Sequence, residues 1–228
     1  MAKFDQQKFN QFILENNIIG FFKEPLVLKS GRFAYHYINW RNISEDVFLL
    51  DRLTDYVIDF TEDLGFCPDC FYGVPEGATK LGIITQYKWA KKSKKFGPGS
   101  HKLPMGRKQP KDHGAPKDRF FVGAPKGKTI ILEDVTTTGS SLLEAINNLR
   151  KIKNQIIAAI ALTDRMEITN DGKSVKEVIE SKKIPYFQMS NALDLLPLVY
   201  KKLRPGKKIV QKVEEYYQKY GVEKLKLL

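Results

Sequence analysis

The chain has 228 residues, of which 42% are hydrophobic and 28% charged, so its composition suits one globular domain with a small appendage and excludes a disordered or fibrous protein. No run reaches the ~18 apolar residues of a membrane span. Lys3, Asp5 and Lys8 interrupt the N-terminal segment, so we expect a cytoplasmic protein without a signal peptide. The net charge of +12 lies mainly in residues 88–119 (+9) and 201–228 (+6), which raises the question of a phosphorylated ligand or a nucleic acid.

The first part of the chain predicts two helices and a hairpin between them. Residues 5–17 have helical periodicity and begin with Asp5 as the cap, while β-rich runs on both sides of Ser30-Gly31 predict the hairpin. Residues 45–64 predict an amphipathic helix that is capped by Ser44. The apolar stripe of that helix consists of Val47, Leu50, Leu53, Val57, Phe60 and Leu64.

The two cysteines, Cys67 and Cys70, follow this helix as a CxxC pair. A zinc site would need two further ligands, and the three histidines show no matching spacing. We therefore interpret the cysteines as reduced thiols in a turn.

The remainder of the chain alternates between strands and helices. The apolar runs FYGV, TIIL, IIAAIAL and PYFQMS are each followed by a helical pattern. This alternation predicts an α/β fold in which helices flank both faces of a mainly parallel central sheet, with ligands at the carboxyl ends of the strands. We expect a single domain over residues 1–228, made of an N-terminal segment (1–43), an α/β core (44–200) and a basic C-terminal helix or tail (201–228).

The segment TIILEDVTTTGSS, residues 129–141, places two acids between a predicted strand and a predicted helix. Leu132 ends the apolar run, so Glu133 and Asp134 are expected at the carboxyl edge of the sheet. The helix that begins near Ser140 offers unpaired N–H groups to a phosphate, and the acids suit vicinal hydroxyls. A sugar phosphate fits both features. The alternative is a structural turn in which Thr and Ser side chains cap the helix.

This segment resembles the phosphoribosyl-pyrophosphate (PRPP) motif of type I phosphoribosyltransferases. The resemblance implies the type I phosphoribosyltransferase fold, in which residues 1–43 form a small hood and a flexible catalytic loop lies beside the sheet. It also implies that the motif binds PRPP through Glu133, Asp134, Val135, Thr136, Thr137, Thr138, Gly139, Ser140 and Ser141.

A second motif, GRKQPKDHG at residues 106–114, places four basic side chains within seven positions. A compact cationic cluster can neutralise a departing diphosphate. The motif resembles the catalytic loop of orotate phosphoribosyltransferases, and LKSGRFAYHYIN and TDRME resemble two further segments of that family. Together the four motifs span roughly residues 26–167. The resemblance implies that the following loop residues are catalytic and contact pyrophosphate: Arg107, Lys108, Lys111 and His113.

The same resemblance implies a binding site for the base. Lys29 would contact both PRPP and orotate, and the other residues implied for orotate are Tyr37, Ile38, Thr137 and Arg165. Two features depart from the family pattern. Glu76 and Gly77 stand where an aromatic–lysine pair is frequent, and the basic stretch from Lys88 to about His101 is interpreted as an insertion.

The implied reaction transfers the 5-phosphoribosyl group from PRPP to N1 of orotate, and yields orotidine 5′-monophosphate and pyrophosphate for pyrimidine (UMP) biosynthesis. Mg²⁺ is the implied cofactor; PRPP would carry it without a dedicated protein site, with help from Glu133 and Asp134. A homodimer that shares the catalytic loop is implied, and a separate decarboxylase partner stays open. No membrane or nucleic-acid partner is expected. The alternatives are a phosphoribosyltransferase for another nucleobase and a regulator that binds PRPP without turnover.

Overall fold

The computed structural model describes residues 3–28 and 30–227. The N-terminal part contains the elements α1 (Gln6–Glu15), β1 (Ile19–Val27), β2 (Phe33–Ile38), α2 (Arg41–Glu45) and α3 (Val47–Asp63). The middle part contains β3 (Cys70–Gly73), α4 (Thr79–Lys92), β4 (Met105–Gly106), α5 (Pro116–Phe120) and β5 (Phe121–Val122). The last part contains β6 (Lys128–Thr136), α6 (Ser140–Lys151), β7 (Gln155–Asp164), α7 (Val175–Glu180), β8 (Tyr186–Asn191), α8 (Ala192–Leu203) and α9 (Lys207–Tyr220).

The N-terminal segment has the predicted helix and hairpin. The Asp5 side chain accepts hydrogen bonds from the first turn of α1, as an N-cap does. The buried face of α1 consists of Phe9, Phe12 and Ile13. Strands β1 and β2 pair antiparallel, with Val27 opposite Phe33. These two predictions are confirmed.

The start of the next helix differs from the prediction. Ser44 lies inside α2, and Asp46 is the residue that caps α3, because its extended backbone lets its side chain accept a hydrogen bond from the Leu49 N–H at 2.8 Å. Val47 is 86% exposed, so the buried face of α3 begins one turn later, at Leu50. The predicted cap and the first residue of the predicted stripe are therefore wrong, while the helix itself is confirmed.

The core is a parallel sheet that four strands of the described chain form, in the order β3-β6-β7-β8. Alternate residues of the central strands enter two separate hydrophobic clusters. Ile130 and Leu132 of β6 belong to the cluster that includes α1, α3, α8 and α9, whereas Ile131 belongs to the cluster with α6 and α7. The sheet is thus covered on both faces, as the alternating sequence pattern predicted.

Strand β6 is longer than the apolar run TIIL. Its pairing with β7 continues through Glu133 opposite Ala161 and Thr136 opposite Asp164. Leu132 therefore does not end the strand, because backbone pairing continues where the apolar side chains stop. Glu133 and Asp134 are therefore residues of β6 itself and lie near its carboxyl end.

The basic stretch that was interpreted as an insertion begins inside α4. The ammonium group of Lys88 lies 3.0 Å from Asp51 and 2.6 Å from Asp55 of α3, and that of Lys92 lies 2.7 Å from Glu62. Helix α4 includes the first lysines of this stretch, which face acidic side chains of α3. Two lysines of the central basic region therefore form ion pairs that connect α4 to α3.

The C-terminal segment is more than a charged appendage. Helix α9 buries Val210, Val213, Tyr216 and Tyr217, and it packs against the hairpin strands β1 and β2. Its lysines occupy the opposite, exposed face. Within the described residues, no helix is both long and apolar enough to cross a membrane.

Candidate active site

A cleft of about 450 Å³ lies between the carboxyl end of β6, the hairpin and the segment that follows β7. The predicted site residues that line it come from four separate segments of the chain. They are Tyr37, Ile38, Lys108, Glu133, Asp134, Val135, Thr136, Thr137, Thr138, Gly139, Ser140, Ser141 and Arg165. Ile38 is buried in the wall at 3% exposure. Lys29 lies outside the described residues, so its role stays a prediction.

The loop between β6 and α6 has the form that an anion-binding loop needs. The residue at the N-cap of α6 is Gly139, whose φ of 73° is a left-handed conformation that favours glycine, and no side chain caps the helix. The alternative of a structural turn required Thr or Ser as the cap. The N-terminus of α6 lines the cleft, where the helix dipole favours an anion.

The two acids of the motif have different surroundings within the same cleft. Glu133 is 6% exposed, while Asp134 is half-buried and lies directly over Gly77. A Cβ at residue 77 would come within 2.3 Å of Asp134 Oδ2, so glycine is needed there for the loop after β3 to approach the acid. The carboxylates thus face a polar cavity in which ribose hydroxyls or a hydrated cation could bind.

Arg165 is a buried cation at the wall of the cleft, with a side-chain exposure of 2%. Its Nε donates to Oε1 of Glu167 at 2.6 Å, and its Nη2 lies 3.0 Å from Nε2 of His36. Burial alone would lower the pKa of Arg165, but the Glu167 charge raises that pKa above its ordinary value. Arg165 is therefore charged at any physiological pH and available to an anionic ligand.

The basic motif forms a loop whose base is the antiparallel pair β4–β5. Lys108 is the loop residue that lines the cleft, where its ammonium group lies 3.0 Å from a Glu76 carboxylate oxygen. Both side chains are 66% exposed, so solvent weakens this ion pair. Arg107, Lys111 and His113 do not line the cleft of this chain.

The described residues contain no group of three or more His, Cys, Asp or Glu side chains that could hold a metal ion. A cation carried by phosphate groups needs fewer protein ligands, because Mg²⁺ commonly combines one or two carboxylates with phosphate oxygens and water. Glu133 and Asp134 fit that requirement, since both line the same cleft as the anion-binding loop.

Comparison with known proteins tests the resemblance that the motifs predicted. No family model matches the chain. An orotate phosphoribosyltransferase from Marinobacter nauticus is 28% identical over 220 residues, which cover 95% of this chain and 98% of that protein. The resemblance to orotate phosphoribosyltransferases is confirmed.

Solved structures agree on the fold. The crystal structure of the orotate phosphoribosyltransferase from Francisella tularensis has a TM-score of 0.67 and 24% identity, and the match covers 94% of this chain and 99% of that one. An orotate phosphoribosyltransferase from Mycobacterium tuberculosis, solved in complex with PRPP, has a TM-score of 0.58 and 16% identity, with 83% and 98% of the two chains covered. The protein therefore has the type I phosphoribosyltransferase fold.

Some cleft residues were not predicted from the orotate phosphoribosyltransferase motifs. Asn39 and Arg41 line the cleft just after the hairpin, and their position directly beyond the LKSGRFAYHYIN segment was the available signal. Glu76 was noted only as a departure from the family pattern, and the structure gives it a partner in Lys108. His36 and Glu167 lie within quoted motifs, but their contacts with Arg165 depend on folding and have no signature in the sequence.

Proposed function

We infer that the protein is an orotate phosphoribosyltransferase, which transfers the 5-phosphoribosyl group from PRPP to orotate and releases pyrophosphate. The observation that carries this inference is convergence. The N-terminus of α6 and the carboxylates of Glu133 and Asp134 belong to one segment, the buried Arg165 follows β7, and all of them line one cleft. Each matches a different part of the two substrates.

The PRPP side of the cleft follows from the β6–α6 loop. The 5′-phosphate binds at the first turn of α6, where backbone N–H groups and the Thr and Ser hydroxyls donate hydrogen bonds to it. The ribose hydroxyls donate to the carboxylates of Glu133 and Asp134. These negative charges also favour the positive charge that develops on the ribose ring as its C1–oxygen bond breaks.

The base side of the cleft follows from the hairpin and from Arg165. Tyr37 and Ile38 provide flat and apolar surface for a pyrimidine, while the guanidinium of Arg165 pairs with the anionic groups of orotate. Uracil lacks the carboxylate, so it would forgo an ionic contact with Arg165, whose protein partner is Glu167. This argument favours orotate over neutral bases.

Pyrophosphate, the leaving group, is an anion, and positive charge near it stabilises it as it departs. Mg²⁺, when bound with PRPP and with help from Glu133 and Asp134, would neutralise part of the diphosphate charge. The remaining diphosphate charge would be neutralised by loop residues when the loop closes over the cleft and excludes water. These residues are Arg107, Lys108, Lys111 and His113.

We also propose that the protein is a homodimer in which the loop of one subunit serves the cleft of the other. The position of Arg107, Lys111 and His113 away from their own cleft supports this arrangement. A cytoplasmic location is proposed as well, and the free thiols of Cys67 and Cys70 support a reducing compartment.

The test is a pyrophosphate-release assay with purified protein, PRPP and Mg²⁺. Orotate, uracil, adenine, hypoxanthine and guanine are supplied separately, and we expect release with orotate alone. Release with a purine would retain the fold and the PRPP site but refute the substrate. No release with any base, despite measurable PRPP binding, would favour a regulator over an enzyme.

A further inference from the structure

Glu167 is a fully buried carboxylate that lies between two arginines. Its exposure is 0%; Oε1 accepts a hydrogen bond from Nε of Arg165 at 2.6 Å, and Oε2 accepts one from Nη1 of Arg32 at 2.9 Å. Arg32 belongs to the loop that leads into β2, and its other nitrogen donates to the Ile168 carbonyl. Two cations and one anion therefore share a buried site beside the cleft.

His36 supports the same guanidinium from a second direction. Its ring is fully buried on β2, and its Nε2 atom lies 3.0 Å from Nη2 of Arg165. Arginine can only donate, so Nε2 must accept, which requires a neutral imidazole. Burial lowers the pKa of His36 well below its usual value, in agreement with a neutral ring.

Helix α9 and the segment that follows it hold the backbone at Arg165 and Met166. The Tyr217 hydroxyl donates to the Arg165 carbonyl at 3.0 Å, and the Val222 N–H donates to the Met166 carbonyl at 2.8 Å. Two guanidinium nitrogens are thus held by side chains and the main chain is held by the last helix. Nη1 makes no hydrogen bond to any described residue, and Arg165 lines the cleft.

We propose that His36 and Glu167 are positioning residues that hold the Arg165 guanidinium with one edge toward the cleft, and that they thereby set the affinity of the site for the anionic base. The proposal rests on the proposed function. Neither residue lines the cleft. Their effect is therefore exerted through Arg165, whose side chain would otherwise have several rotamers to choose from.

The test compares steady-state kinetics of His36→Phe, His36→Gln and the wild-type protein. Phenylalanine keeps a ring but removes the acceptor at Nε2, whereas the glutamine oxygen can restore an acceptor near that position. Nδ1 of His36 has no hydrogen-bond partner among the described residues, so the phenylalanine loses no bond there. We expect His36→Phe to raise the KM for orotate by about tenfold or more, as for a lost bond to a charged group.

Three comparisons separate positioning from a loss of structure. The KM for PRPP should stay within about twofold of wild type, and His36→Gln should recover most of the orotate affinity. Tyr56→Phe is the control. It removes a tyrosine hydroxyl from a ring that packs against Phe9 and Phe12, so its orotate KM should not change.

Glu167→Gln provides a second variant in case the phenylalanine protein is unstable. It keeps an oxygen for Arg165 but removes the charge, so the orotate KM should rise while the PRPP KM does not. The inference would be overturned if the His36→Phe and Glu167→Gln proteins are active and their KM for orotate is unchanged. It would also be overturned if the KM values for orotate and PRPP rise equally. A wild-type protein that binds PRPP but does not turn over orotate would instead refute the proposed function, and with it this inference.

Discussion

The contact between Gly77 and Asp134 leads to a prediction about PRPP. A Cβ added at residue 77 would lie 2.3 Å from Oδ2 and 2.5 Å from Oδ1 of Asp134, whereas ordinary contacts begin near 3.4 Å. Gly77→Ala therefore requires the carboxylate to move by about 1 Å. A displacement of about 1 Å in a positioned group can lower activity by about 10²-fold. We expect kcat/KM for PRPP to fall by roughly 10- to 100-fold.

The backbone at Gly77 lies outside the left-handed region, so the substitution introduces no φ strain, and the loss should come from the displaced acid. The assay is pyrophosphate release at varied PRPP and saturating orotate, together with a thermal melt to exclude unfolding. Gly97→Ala is the matched control, because a Cβ there meets nothing within 4 Å. If Gly77→Ala keeps kcat/KM within about twofold of wild type, the assigned role of Asp134 is wrong.

Three further predictions concern other parts of the site. Lys111→Ala should lower kcat by about 10²-fold, because one contact to the leaving group is lost. Lys117 is an exposed neighbour, and Lys117→Ala should leave kcat unchanged. A near-wild-type kcat in Lys111→Ala would refute the role of the loop. Arg165→Ala should raise the KM for orotate more than that for PRPP, and equal losses would contradict the assignment. Because the pKa of buried His36 is lowered, the unfolded chain takes up a proton near pH 6.5 while the folded protein does not. Its contribution to stability is present above pH 6.5 and is lost as the pH falls below that value. Urea unfolding at pH 7.5 and 5.5 should show a smaller decrease in His36→Phe than in wild type, and equal decreases would contradict a neutral buried ring.

The order of elements and the two-sided sheet could be predicted because each strand and helix carries its own periodicity. The end of β6 could not be predicted, because its pairing with β7 includes Glu133 and Thr136, whose side chains do not indicate a strand. The cap of α3 was misplaced by two residues, because both Ser44 and Asp46 are good caps and only the backbone angles decide between them.

The PRPP motif could be predicted because its acids and its Thr, Gly and Ser residues lie in one continuous segment. The surroundings of Arg165 could not be predicted from the sequence. Its partner His36 lies 129 residues earlier in the chain, and Tyr217 lies 52 residues later. Similarly, the lysines at 88 and 92 were interpreted as part of a solvated insertion, because their acidic partners belong to the preceding helix.

The position of α9 has a consequence for how the protein is made. Arg165 and the strand that carries His36 are synthesised well before Tyr217, and until then the last hydrogen bond to the Arg165 backbone cannot form. The base side of the cleft is therefore completed after the PRPP side, when the chain is almost finished. Val213, Tyr216 and Tyr217 of α9 also belong to the same buried cluster as Ile130 and Leu132 of β6, the strand that carries the phosphate loop. A chain that ends before residue 207 therefore lacks part of the core beneath both sides of the cleft.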